Sequence, residues 1–123
     1  PQVVIIACGP ILYNALQAAR LLERDGVQSV VVNVHTVKPL DDKKIIDLAK
    51  KYGAVVTAEE HQIAGGLAGA VAELLARTHP VPMEFIGMQN TFGSSGVPEK
   101  LSVKYGMDVQ SIVIAAKKAV ARK

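Results

Sequence analysis

The chain has 123 residues, half of them apolar and a fifth charged, and carries a net charge of +3 at neutral pH. This is the size and make-up of one globular domain, able to bury a core without disulfide or metal staples. The longest strictly apolar run, Val3–Cys8, is far short of the roughly 18 residues that a membrane span needs.

Val3-Val4-Ile5-Ile6-Ala7-Cys8 is a continuous, mostly β-branched run. Apolar character without alternation predicts a strand buried on both faces, as in a parallel sheet. Gly9-Pro10 breaks the run, and Ile11, Leu12, Ala15, Leu16, Ala19 and Leu22 then recur at helical spacing. Pro10 suits a first helical turn, and Gly26 is the natural left-handed stop. Val30–Val34 predicts a second strand, followed by a loop ending in Lys38-Pro39.

Asp41 is expected to cap a second helix running through Tyr52. Asp41 and Asp42 stand at its positive end and Lys50 and Lys51 at its negative end, matching the helix dipole. Gly53 closes it, and Ala54–Ala58 predicts a third strand leading into Glu59-Glu60-His61. Gly65-Gly66 precedes a third helix carrying Leu67, Ala70, Val71, Leu74 and Leu75. Pro80 and Pro82 flank the approach to Met83–Ile86, a fourth strand placed at the sheet edge, where prolines are tolerated. Asn90–Val97 reads as a Gly/Ser loop, Pro98 starts a short helix ending near Gly106, and Asp108 caps a last helix.

Strand–helix alternation predicts one three-layer α/β/α domain over residues 1–123, built on an open parallel sheet. A single cysteine and the absence of a charged, cleavable leader point to a reducing, cytoplasmic setting. The chain opens on Pro1, not methionine, which predicts a trimmed chain or a piece of a longer one.

Gly9-Pro10 sits where dinucleotide folds hold phosphate, but the glycine fingerprint is missing and proline removes one donor amide. Cys8 ends the same strand, and a neighbouring helix N-terminus could lower its pKa, with His61 as a conceivable partner from the next strand; the plainer reading is a buried thiol. Glu59-Glu60-His61 is the densest cluster of functional groups; in a strand Glu59 and His61 share one face and Glu60 takes the other. Metal binding would want a further ligand, and His35 and His79 stand at no recognisable metal spacing. The plainer reading is a set of strand-end groups bonding nearby loops, including the amides at Gly65-Gly66. The Asn90–Gly96 loop lacks the lysine of a phosphate loop. The basic residues lie largely at helix ends, and the aromatics are three tyrosines and two phenylalanines, none interleaved with a basic cluster. No nucleic-acid partner is expected.

The motifs in order resemble one family. Cys8-Gly9-Pro10, Ala15–Ala19, Val37-Lys38-Pro39-Leu40-Asp41, Thr57–His61 with Gly65-Gly66-Leu67, Phe92–Leu101 and Lys104-Tyr105-Gly106 look like the C-terminal domain of transketolases. That domain is shared with deoxyxylulose-phosphate synthases and with beta subunits of 2-oxoacid dehydrogenases. Lys38–Asp41, Glu60-His61 and Ser95–Glu99 look most like transketolase, split-chain forms included.

The resemblance implies a five-stranded sheet whose antiparallel edge strand comes first in sequence. This chain begins at what would be the second strand, so its four strands should lie in the order second, first, third, fourth, with one edge uncovered. An uncovered edge can recruit another chain. The resemblance also implies that thiamine diphosphate and a divalent metal such as Mg lie between two other domains at a subunit interface, none of their contacts coming from this domain. Neither catalytic, cofactor nor metal residues are therefore assigned here. The expected partners are the remaining domains, or the subunit carrying the thiamine diphosphate site, in a homodimer. A candidate crevice or interface falls between the first and third strand ends, at Gly9, Pro10, Glu59, Glu60, His61, Gly65 and Gly66. Three alternatives stand beside this reading: a dehydrogenase beta-subunit domain docking an acyltransferase, a stand-alone anion- or nucleotide-binding module, and a small Cys–His enzyme.

Overall fold

A strand with no polar residue must be covered on both sides, and β1 (Val3–Cys8) is. In the computed structural model, which describes residues 2–34, 41–62, 66–88 and 108–123, Val3 through Ala7 are fully buried. Val3, Ile5 and Ala7 point to one face of the sheet, and Val4 and Ile6 to the other.

β1 is joined on one side by β2 (Ser29–Asn33) and on the other by β3 (Val55–Gln62), with β4 (Met83–Met88) beyond β3. The four-stranded sheet has the order β2-β1-β3-β4, and every pairing is parallel. This is the predicted order, with β4 at one edge as the prolines before it suggest. Ile5 lies between Val31 and Val56, and Cys8 beside Glu59.

Helices α1 (Leu12–Arg24) and α4 (Val109–Ala121) cover the Val3–Ile5–Ala7 face, using Ala15, Ala18, Leu22, Ile112, Ala116 and Ala119. The small alanines let the two helices approach each other closely on the sheet. On the opposite face α2 (Asp42–Tyr52) and α3 (Leu67–Thr78) pack Ile45, Ala49, Leu67, Val71 and Leu74 on Val4 and Ile6. No helix among the described residues is long and apolar enough to cross a membrane.

The helix ends carry the predicted punctuation. Asp41 accepts from the Lys44 amide at 3.2 Å, and Gly53 turns the chain at φ 77°. Asp108 likewise accepts from the Ser111 amide at 3.2 Å. Gly26 ends α1 at φ 81°. Pro10 lies in the turn before α1 instead of inside its first turn, because Leu12 and Tyr13 donate back to the carbonyls of Gly9 and Pro10. β3 runs further than expected and absorbs Glu59, Glu60 and His61. Its register against β4 shifts between Ala58 and Gln62, an irregularity at the C-terminal end of the sheet. The Asn90–Val97 loop and the short helix after Pro98 lie outside the described residues.

Candidate functional site

In a doubly wound sheet the first connection leaves to one side and the next to the other, so a crevice opens where the directions part. Here that point lies between the C-terminal ends of β1 and β3, as the strand order requires. Gly9 follows β1 at φ 89°, a backbone state that side chains with a Cβ resist, and the space beyond its Cα is open.

Glu59 ends the described run of buried residues in β3 and is only 2 % exposed. Its carboxylate reaches the start of α3: Oε2 accepts from the Leu67 amide at 3.0 Å and Oε1 from the Ala68 amide at 3.2 Å. Gly66, the residue before α3, offers no side chain to cap the helix. Glu59 therefore supplies the cap from another element, placing its negative charge at the positive end of the helix dipole. The carboxylate bonds the amides just after the Gly65-Gly66 pair, not those of the glycines themselves.

Cys8 does not gain from a helix N-terminus. It follows Val4 and Ile6 onto the α2/α3 face, whereas α1 packs on the opposite face. The nearby start of α3 is already neutralised by Glu59. Burial raises the thiol pKa above its ordinary value, and the Glu59 charge raises it further. An activated nucleophile needs the reverse. The lowered pKa that a Cys–His nucleophile would need is thus not supplied at Cys8.

The other predicted site residues divide. Glu59 and Gly66 lie against each other, and Gly9 and Pro10 follow Cys8, which stands beside Glu59 in the sheet. Glu60 and His61 belong to β3, but their side chains, and Gly65 altogether, lie outside the described residues. Among the described residues no three His, Cys, Asp or Glu side chains are grouped to hold a metal. Four amides at the starts of α1 and α3 are engaged within the chain. Leu67 and Ala68 bond Glu59, while Leu12 and Tyr13 bond the Gly9 and Pro10 carbonyls at 3.0 and 3.2 Å.

Three cations of the basic tail are tied to carboxylates. Lys117 pairs with Asp25 at 2.7 Å, while Lys118 and Arg122 share Glu84. Arg122 also donates to the Met83 carbonyl at 2.9 Å, pinning the end of α4 to the start of β4. These three cations are paired at the surface.

One feature was missed by periodicity. Leu16 belongs to the apolar pattern of α1, yet it is 46 % exposed, and Tyr13 one turn earlier is 69 % exposed. Leu16 faces past β2, where no described strand pairs the sheet's outer edge. It lines a groove of about 830 Å³ together with Ala19, Arg20, Val31, Lys51 and Tyr52. A helical stripe wider than the strand beneath it was the available signal.

The chain matches the family described as transketolase, C-terminal domain, over residues 1–112. It belongs to the transketolase C-terminal domain family. A 6-deoxy-6-sulfo-D-fructose transketolase subunit of Clostridium sp. is 42 % identical over 99 % of this chain and 38 % of its own length. A 1-deoxy-D-xylulose-5-phosphate synthase of Desulforudis audaxviator is 38 % identical over 94 % of this chain and 18 % of its own. A solved split-gene transketolase, an inactive beta4 tetramer, superposes with a TM-score of 0.92 at 41 % identity, over 98 % of this chain and 39 % of that one. This transketolase C-terminal domain thus spans well under half the length of these relatives. Its four parallel strands and flanking helices are the family's α/β fold.

Proposed function

We propose that this chain is the C-terminal, non-catalytic part of a thiamine-diphosphate-dependent transketolase that moves a two-carbon ketol unit between sugar phosphates in the cytoplasm. Thiamine diphosphate would supply the carbanion chemistry from other domains or a partner subunit. The chain's own residues supply a packed platform: Glu59 fixes the start of α3 to the end of β3, and Gly9 turns the chain tightly at the switch point. The open β2 edge and the switch-point crevice are the surfaces through which this domain meets the remaining polypeptide, in a dimer. What carries the reading is near-complete coverage of this chain, at 42 % identity, by a transketolase subunit of which it spans 38 %.

The engaged helix-end amides weigh against the stand-alone anion-binding alternative, because Glu59 already occupies the place an anion would take at α3. The raised Cys8 pKa weighs against the Cys–His enzyme.

An immunoblot of source-cell extract tests the proposal through the size of the native polypeptide. A split-transketolase subunit should run near 2.6 times 13.0 kDa, the inverse of the 38 % share. A much heavier band indicates a single-chain enzyme of the same family. A band at 13.0 kDa overturns the proposal and favours a free-standing module.

A further inference from the structure

We draw no further inference here: the strongest candidate, the outer edge of β2, which no described strand pairs, with the groove beside it between α1 and α2, carries nothing because nothing in the structure shows what covers it.

Discussion

Glu59 and Gly66 are fitted to each other: a Cβ at position 66 would stand 2.6 Å from Glu59 Oε1 and 2.7 Å from Oε2. The backbone at Gly66 is extended, at φ −107°, so glycine is required there by space and not by conformation. Gly9 is the opposite case, with φ 89° and nothing within 4 Å of its would-be Cβ.

Gly66→Ala is therefore expected to destabilise the domain through Glu59. The end of a glutamate usually swings aside at little cost. Here it is buried and holds two amides, so displacing it weakens charge-assisted bonds worth about 1.5–3 kcal/mol each. Urea unfolding should show that loss. In a Glu59→Ala background the same substitution should cost much less, because the obstruction is gone, and a double-mutant cycle reads the difference as coupling. Equal costs in both backgrounds would show that Glu59 is not what Gly66 accommodates.

Thr57 makes a prediction of the other sign. It is fully buried in β3, and its hydroxyl has no hydrogen-bond partner among the described residues. Valine keeps the shape and the β-branch while removing the orphaned polar group. Thr57→Val should leave stability unchanged or raise it by up to about 1 kcal/mol. A clear loss in the unfolding midpoint would mean that the hydroxyl has a partner.

The Cys8 thiol should titrate above the ordinary thiol range, with burial as the larger cause and Glu59 as the smaller. Thiolate absorbance against pH measures this directly. Glu59→Gln removes the charge and should move the titration downward, though not the whole way, since burial remains. Because the folded thiol holds its proton more tightly than the unfolded one, its contribution to stability is full below the unfolded pKa. That contribution is lost as pH rises through the folded value. Rapid alkylation of folded Cys8 at neutral pH would contradict the assignment.

Much of the fold was legible because its signals are local. The unbroken apolar run of Val3–Cys8 marks a doubly covered strand, Asp41 and Asp108 mark helix starts, and Gly26 and Gly53 mark helix ends. The strand order was reached through the family resemblance, since parallel pairing depends on contacts distant in sequence. The length of β3 was misjudged because Glu59-Glu60-His61 looks like a polar strand exit. What makes Glu59 a buried strand residue is the pair of amides waiting at Leu67 and Ala68. The environment of Cys8 is settled only by the packed sheet, which decides the face a strand-end side chain takes relative to the helix that follows. The exposure of Leu16 does not follow from its helical spacing, because it depends on β2 being the last described strand on that side.

The proposed separation of this domain from the thiamine diphosphate site is tested most directly by calorimetric titration of the chain with thiamine diphosphate and magnesium. The expected result is heat of dilution only, because the amides of Leu12, Tyr13, Leu67 and Ala68 are engaged internally and no described cluster of side chains is set to hold the metal. Saturable heat with a defined stoichiometry would contradict that separation and place a cofactor site in this chain.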